Sequence, residues 1–283
     1  MNLLEGKRGL IFGVANERSI AWHIAKNAAA HGAACAFAHL PGEKMGQRVR
    51  RTLESGGLGD AWLHPCDLSS DDDLDALFAA LKSSVGRLDF VVHSVAYADR
   101  EYLKAGRFAE TPRDVFRQAL DISAYSLIAV AHRARVMMQD GGSVLALSYY
   151  GAEKATPGYN VMGVAKSALE SVARYLASEL GEFGIRVNCL SAGPCRTLSA
   201  MAVGGIDEML DEMERTAPLR RNIETDEVGK AAVYLLSDLS SAVTGETHHV
   251  DAGYHAVTGA RASEAGPAGI ASQSTNRRPE GDT

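Results

Sequence analysis

The sequence has little cysteine, no long apolar run and no excess of positive charge. Its four cysteines among 283 residues form no Cys-x-x-Cys pair, which argues against a metal site or a disulfide framework. No run of eighteen apolar residues occurs, and the amino terminus lacks the pattern of a secretory signal. A net charge of −6 argues against nucleic acid or an anionic membrane as the main partner. These absences favour a soluble, cytoplasmic protein that binds no metal.

Short apolar runs alternate with segments of helical periodicity along most of the chain. The seven runs read as strands and cover residues 8–14, 33–39, 60–68, 88–96, 141–148, 184–193 and 245–253. Strands that are apolar throughout and separated by helices pair in parallel, with helices on both faces. The pattern predicts one α/β domain over residues 1–258, with a doubly wound, Rossmann-like parallel sheet of about seven strands. Residues 259–283 are rich in Gly, Ala, Ser and Pro and are predicted to be a disordered tail.

Ligands of a doubly wound sheet bind beyond the carboxyl ends of its strands, so the residues that follow the apolar runs are candidates. The first run continues as G-V-A-N-E-R-S-I-A, with one glycine where the G-x-G-x-x-G fingerprint has three. Gly13 permits a tight turn, and Ala15 permits close approach of the backbone. We expect Ser19 to cap the following helix and donate to a phosphate at its N-terminus.

Three further positions complete the predicted dinucleotide site. Asp67 follows the third run, where its carboxylate accepts from an adenine amino group or, alternatively, caps the next helix. Ser94 and Ala96 are small residues where a ribose and nicotinamide would pass. The second run ends at His39, with neither the acid that favours NAD nor an arginine that favours NADP. The residues therefore leave NADH and NADPH both open.

Tyr159 and Lys166 lie seven residues apart in a segment predicted to be helical over residues 158–180. Seven residues are about two helical turns, so both side chains are expected on one face. A lysine ammonium beside a phenol favours the phenolate, so we expect a lowered Tyr159 pKa. The phenol can donate to an oxygen that gains negative charge during hydride transfer, while the lysine binds the nicotinamide ribose.

Several stretches in order along the chain carry a family resemblance: GVANERSIA, HSVAYA, DISAYS, LSYYGAEKATPGYNVMGVAKSALE, RVNCLSAGPCRTL and GETHHVDAGY. They resemble the short-chain dehydrogenase/reductase superfamily, whose members usually separate Tyr and Lys by three residues. That position is Met162 here. The seven-residue spacing, with Tyr149 ten residues before Tyr159, is similar to the divergent enoyl-acyl-carrier-protein reductases.

The resemblance implies reduction of the 2,3 double bond of a trans-2-enoyl thioester by NADH or NADPH, the last step of fatty acid elongation. It implies a homotetramer and an acyl carrier protein, or coenzyme A, as the thioester carrier. The implied catalytic residues are Tyr149, Tyr159 and Lys166, with Tyr150 structural. The implied dinucleotide contacts are Gly13, Ala15, Ser19, Ile20, Asp67, Leu68, Ser94, Ala96, Lys166 and Thr197. The implied substrate contacts are Ala98, Tyr149, Tyr159 and Met162, with a substrate-binding segment at about 195–220.

One departure from the family concerns the segment after Thr197. Relatives commonly place Lys and Arg there to meet the acidic carrier, whereas this chain carries Asp207, Glu208, Asp211, Glu212 and Glu214. Like charges weaken an interface, so the carrier docks through other residues, such as Arg215, Arg220 and Arg221, or the thioester is carried on coenzyme A. A carbonyl reductase of the same superfamily and a nucleotide-binding regulator without catalysis are the alternative functions.

Overall fold

The apolar runs form a seven-stranded parallel sheet in the computed structural model, which describes residues 2–203 and 205–258. The predicted tail, residues 259–283, lies outside the described residues. The strands run in the order β3-β2-β1-β4-β5-β6-β7, and all six pairings are parallel. Their bounds are β1 Arg8–Phe12, β2 Ala34–His39, β3 Leu63–Pro65, β4 Phe90–His93, β5 Gly142–Ser148, β6 Ile185–Ala192 and β7 Thr247–Val250.

Helices cover both faces of the sheet, as predicted. Alternate residues of each strand face opposite sides of the sheet. Val91 packs on one face with the helices at 71–84, 126–135 and 160–180, while Phe90 and Val92 pack on the other with the helices at 20–30 and 225–236. The helices are α1 Ile20–Ala30, α2 Glu43–Ser55, α3 Asp71–Ser84, α4 Arg113–Leu120, α5 Ser126–Arg135, α6 Asn160–Leu180, α7 Leu198–Val203, α8 Ile206–Thr216 and α9 Thr225–Leu236. The predicted single-domain α/β fold is therefore confirmed.

Some elements are shorter than their sequence patterns predicted. The third and seventh strands occupy the two edges of the sheet, where each pairs on one side only, and they shorten to Leu63–Pro65 and Thr247–Val250. The predicted helix at 158–180 begins at Asn160 instead, because Gly158 and Asn160 both have positive φ. A π-helical turn at Asp121–Tyr125 joins α4 to α5, so the helical segment from Arg113 to Arg135 is continuous but not regular.

The four cysteines are free thiols, and three of them are buried in the core. Burial raises the pKa of each of the four thiols to about 12. A thiol with so high a pKa is a poor nucleophile and metal ligand at neutral pH, so these cysteines act as small core side chains. No group of His, Cys, Asp and Glu suited to a metal ion occurs within 2–203 and 205–258. Across the same residues, no helix has the length and apolarity needed to cross a membrane.

Candidate active site

The order of the strands reverses between β1 and β4, and candidate dinucleotide residues follow both of these strands. Gly13 follows β1 with φ of 97°, a conformation that favours glycine. A Cβ at this position would overlap the carbonyl oxygen of Ser94, which follows β4. The residues that follow these neighbouring strands are therefore in direct contact. In doubly wound sheets a dinucleotide binds in the crevice at the point where the strand order reverses.

Gly13→Ala is expected to lower the free energy of unfolding by about 2–4 kcal/mol, because the new Cβ adds both left-handed strain and a backbone overlap. Gly57→Ala is the matched control, since Gly57 also has positive φ, at 76°, but no atom lies within 4 Å of the added Cβ. Urea unfolding of both variants measures the difference. Equal losses in the two variants would contradict the close contact between Gly13 and Ser94.

The N-terminus of α1 fits a pyrophosphate. The Ser19 hydroxyl accepts hydrogen bonds from the backbone amides of Ala15 and Asn16, at 3.0 and 3.1 Å. It makes no capping bond to the helix, so the predicted capping role of the Ser19 side chain is wrong, because the hydroxyl is engaged by the preceding turn. The first turn of α1, which begins at Ile20, contains no acidic residue. Helix amides left without a side-chain cap or a competing carboxylate form an anion-binding site.

Asp67 lies after β3 but does not cap α3. The Ser70 hydroxyl accepts from the Asp73 amide and is the cap, so the alternative role predicted for Asp67 is wrong. Asp67 Oδ1 instead accepts from the amide and the hydroxyl of Ser69, at 2.9 and 2.7 Å. Asp67 is half-buried beside the buried Leu68, so it remains partly accessible. This placement is compatible with the predicted hydrogen bond to an adenine amino group.

The remaining dinucleotide candidates also lie beyond the carboxyl ends of the strands. Ser94 is half-buried and Ala96 is exposed after β4, where small side chains leave room for a flat ring. Thr197 follows β6, and its hydroxyl accepts from the Ala200 amide at 3.1 Å. At the end of β2, His39 Nδ1 lies 2.8 Å from the Leu40 carbonyl oxygen. Lys44 and Arg48 are exposed on the following helix, so neither coenzyme is excluded by charge there.

Tyr149 and Tyr159 form an edge-to-face pair with ring centroids 4.8 Å apart and an interplanar angle of 66°. Tyr149 directly follows β5, and Tyr159 is the residue that precedes α6. The Tyr149 hydroxyl lies 4.0 Å from the sulfur of Met209 on α8. The two phenols, ten residues apart in sequence, therefore come together beside α8.

Lys166 is buried on α6, and its Nζ donates to the carbonyl oxygen of Leu147 on β5, at 2.5 Å. Burial lowers the pKa of Lys166 to about 8, although Cys189 and Glu170 oppose that shift. An ammonium with one hydrogen bond to the backbone has two further N–H groups to offer to a ligand. The lysine is thus fixed in orientation, and it keeps its charge at neutral pH but loses it as the pH rises through about 8.

Burial and the neighbouring Tyr149 raise the pKa of Tyr159, so the expectation that Lys166 lowers it is wrong. The physical reason is that desolvation of the phenolate outweighs any attraction by the ammonium, which is bonded to Leu147. Burial likewise raises the pKa of Tyr149 to about 12. Both tyrosines are therefore phenols at neutral pH, and a phenol is the form that donates a hydrogen bond.

A cavity of about 610 Å³ opens beside Tyr149, which forms part of its lining. Tyr159 contacts the Tyr149 ring but does not itself line this cavity. Its wall is largely apolar and combines three segments with parts of α8 and Tyr254. Lining residues are Leu103, Lys104, Ala105, Tyr149, Tyr150, Lys154, Ala155, Thr156, Pro157, Gly158, Pro194, Gly205, Glu208, Met209, Glu212, Met213 and Tyr254. An apolar cavity with a few polar groups beside two phenols suits an acyl chain attached to a polarised carbonyl.

Of the predicted substrate contacts, Tyr149 lines this cavity, whereas Ala98, Tyr159 and Met162 lie in an apolar cluster that shares Leu103 with the cavity lining. Met162 is 7% exposed and packs in a small apolar cluster with Leu103, to which Tyr159 and Ala98 are added at the edge. Sequence reasoning missed Leu103 and the residues at 154–158, because loop residues carry no periodic signal. The sequence comparison implied a structural role for Tyr150. The Tyr150 ring contacts Tyr254 edge-on, with centroids 5.7 Å apart, and Tyr150 also lines the cavity.

The arginines suggested as carrier contacts are already engaged. Arg221 pairs with both carboxylate oxygens of Glu227, at 2.7 and 2.8 Å, while Arg215 pairs with Glu212. Arg220 donates to the backbone carbonyl of Arg215. The two ion pairs reduce the positive potential that Arg215 and Arg221 can offer to an acidic partner, whereas Arg220 keeps its charge without a carboxylate partner among these contacts.

The family model described as Enoyl-(Acyl carrier protein) reductase matches residues 13–255. The chain is 52% identical over 255 residues to Enoyl-[acyl-carrier-protein] reductase [NADH] 1 of Rhizobium meliloti, covering 90% of this chain and 92% of the relative. It is 49% identical to Enoyl-[acyl-carrier-protein] reductase [NADPH] FabI of Staphylococcus aureus, covering 90% and 98%.

A solved structure gives the same result. The Bacillus cereus enoyl-acyl carrier protein reductase, in complex with NADP+ and indole naphthyridinone, superposes with a TM-score of 0.88 at 47% identity. The match covers 91% of this chain and all of that chain, at 100%. Because a family model, close relatives and a solved structure agree over nine-tenths of the sequence, this chain belongs to the enoyl-(acyl carrier protein) reductase family.

Proposed function

We propose that this chain reduces the 2,3 double bond of a trans-2-enoyl thioester, linked to an acyl carrier protein, to the saturated acyl thioester. This is the last step of the fatty acid elongation cycle. The observation that carries the proposal is the buried Tyr149–Tyr159 pair, of which Tyr149 lines an apolar cavity, with Lys166 buried on the following helix. Family membership supports the same reaction.

The reaction needs a donor for the thioester carbonyl oxygen, which becomes negatively charged as the β-carbon is reduced. Tyr159 is a buried phenol with a raised pKa, so it supplies a hydrogen bond that strengthens as the charge develops. Tyr149 packs edge-on against it and restricts its ring orientation. Met162 and Ala98 offer apolar contacts for the acyl chain next to Tyr159. Hydride addition at the β-carbon leaves an enolate, which gains a proton at the α-carbon to give the saturated thioester. The reaction therefore needs a proton and no base, which agrees with two phenols that stay protonated at neutral pH.

NADH or NADPH would supply the hydride when bound. Its pyrophosphate would bind at the backbone amides of the first turn of α1. The proposed contacts there are Gly13, Ala15, Ser19 and Ile20. The other proposed contacts are Asp67, Leu68, Ser94, Ala96 and Thr197, with Lys166 donating to the nicotinamide ribose. The relatives include enzymes named for NADH and for NADPH, which supports keeping both coenzymes in the proposal.

The charge at the cavity mouth bears on the carrier. Glu208 and Glu212 line the cavity from α8, and Lys104 and Lys154 line it from the segments at 103–105 and 154–158. Lys104 is paired with Glu101 at 2.5 Å, whereas Lys154 is exposed. We propose that the segment at about 195–220 binds substrate through apolar residues such as Met209, and that an acidic carrier approaches the segments that carry the two lysines.

Glu208→Lys is expected to raise kcat/KM for a carrier-linked enoyl thioester about fivefold at low salt, because it removes a like charge at the mouth. A short enoyl thioester of N-acetylcysteamine, which lacks the carrier, is the control substrate and should respond little. The measurement is steady-state kinetics at two ionic strengths. An equal change with both substrates would contradict an electrostatic effect on carrier docking.

The function itself is tested by steady-state kinetics with crotonyl and acetoacetyl thioesters, each on the carrier protein and on coenzyme A, with NADH and with NADPH. We expect nicotinamide oxidation with the crotonyl thioester and little with the acetoacetyl thioester. Preference for the acetoacetyl substrate would favour a carbonyl reductase, and preference for coenzyme A an enoyl-CoA reductase. Cofactor binding without turnover of either substrate would overturn the proposal in favour of a regulator.

Assembly as a homotetramer in the cytoplasm is part of the proposal. Large apolar side chains are exposed on or near α5 and α6, at Tyr125, Ile128, Val136 and Tyr175. Burying such a patch against another copy of the chain would remove it from water. Four free cysteines are typical of a reducing compartment and support the proposed location.

A further inference from the structure

Asn160 occupies an unusual position directly after Tyr159. It is the first residue of α6 and has φ of 43°, one of three positive values at non-glycine residues in the described ranges. Asparagine tolerates this left-handed conformation better than most residues, yet it still costs free energy. Such a conformation persists when other contacts enforce it, so the contacts of Asn160 identify what it holds in place.

The amide side chain of Asn160 uses both of its N–H groups on one neighbouring segment. Its Nδ2 donates to the carbonyl oxygens of Tyr102 and Lys104, each at 2.8 Å. These carbonyls belong to the end of a short 3-10 helix at Arg100–Leu103 and the residue after it. A planar amide bonded at both hydrogens fixes this segment in position and orientation relative to the start of α6.

The segment that Asn160 holds forms part of the substrate cavity. Leu103 is 4% exposed and packs with Met162, while Lys104 and Ala105 line the cavity beyond it. Tyr159, the residue before Asn160, packs against the same apolar cluster. A single side chain thus connects the backbone next to the proposed hydrogen-bond donor with the wall that would hold the acyl chain.

We propose that Asn160 is a positioning residue for enoyl reduction, which sets the placement of Tyr159 against the cavity wall formed by residues 102–105. The inference rests on the proposed function. Two properties of Asn160 contribute separately: its left-handed backbone determines how the chain turns from Tyr159 into α6, and its amide determines where the wall lies. Displacement of a reacting group by about 1 Å costs about 10²-fold in rate, so loss of either property should appear in kcat.

Three variants separate the two properties. Asn160→Ala removes both amide bonds and disfavours positive φ, and we expect kcat for a short enoyl thioester to fall about 100-fold. Asn160→Gly removes the bonds but keeps positive φ accessible, so an intermediate loss of about 10-fold is expected. Asn160→Asp tolerates the conformation but places a carboxylate against two carbonyl oxygens, so it should lose as much as the alanine variant. In all three, the dissociation constant of NADH should stay close to that of the wild type.

Asn27→Ala is the matched control. Asn27 Nδ2 also makes two hydrogen bonds, both 2.9 Å, to the His23 carbonyl and the Asp226 carboxylate, where α1 meets α9. This variant should lower the melting temperature as the Asn160 variants do, but leave kcat unchanged. Hydrogen exchange provides a readout independent of activity: the amides of residues 100–105 should exchange faster in the three Asn160 variants and not in the control.

Two results would overturn the inference. The first is a wild-type kcat in Asn160→Ala. The second is a loss of kcat in Asn27→Ala as large as that in Asn160→Ala, when both variants lose the same amount of melting temperature. A wild-type protein that binds NADH but reduces no enoyl thioester would instead overturn the proposed function. In that case hydrogen exchange would still report whether Asn160 orders the cavity wall.

Discussion

Replacement of Tyr159 with phenylalanine is expected to lower kcat for enoyl thioester reduction by about 10²–10³-fold, the loss typical when one donor to a developing oxyanion is removed. The phenol carries this function because burial and Tyr149 raise its pKa and keep it protonated. The ring itself should remain in the apolar cluster with Met162, so the fold should persist. Single-turnover reduction of a crotonyl thioester by the variant loaded with NADH measures the effect.

The control for this experiment is Tyr149→Phe. Tyr149 shares the edge-to-face contact, but its hydroxyl lies beside the Met209 sulfur, so we expect a smaller loss than at Tyr159. Circular dichroism and the NADH dissociation constant should match the wild type in both variants. Undiminished double-bond reduction by a folded Tyr159→Phe protein that binds NADH would require a different donor to the thioester oxygen.

Lys166 is expected to give the second large effect, as a dependence of cofactor binding on pH. Burial lowers the pKa of Lys166 to about 8, so its charge is present below that pH and is lost as the pH rises through it. We therefore expect kcat/KM for NADH, which reports the ionisation of the free enzyme, to fall above about pH 8. Lys166→Met should lower kcat/KM for NADH by about 10- to 100-fold, because a charged hydrogen bond is lost.

The Lys166→Arg variant separates charge from geometry. Its guanidinium stays charged throughout the accessible range, so the alkaline decline should disappear even where the rate is reduced. The pH profiles of the wild type and both variants, measured with the same thioester, provide the comparison. An alkaline decline that persists unchanged in Lys166→Arg would assign it to a group other than Lys166.

The sequence predicted the doubly wound fold because apolar strands and amphipathic helices alternate in it with clear periodicity. It also predicted that Gly13 and Ser94 would lie at the dinucleotide edge, since each follows a strand that ends there. The strand order that makes these two residues neighbours is a property of parallel sheets of this class. Local pattern and general topology were sufficient for this part of the site.

The protonation states were beyond the sequence pattern. The spacing of Tyr159 and Lys166 suggested a lowered phenol pKa, yet the phenol is buried beside Tyr149 and its pKa is raised. The lysine ammonium is bonded to the Leu147 carbonyl on the adjacent strand. Burial and strand contacts depend on the packed arrangement of segments distant in the chain, which no spacing rule contains.

The amino-acid sequence by itself determined the sheet, the helices that cover it and the family to which the chain belongs, because each is encoded in local periodicity or in motifs of fixed order. Only the tertiary structure decided that Ser19 faces its own turn rather than capping α1, and that Asn160 bonds to the wall at Tyr102 and Lys104. The physical reason is that a polar side chain bonds to whichever partner the packed fold brings within reach.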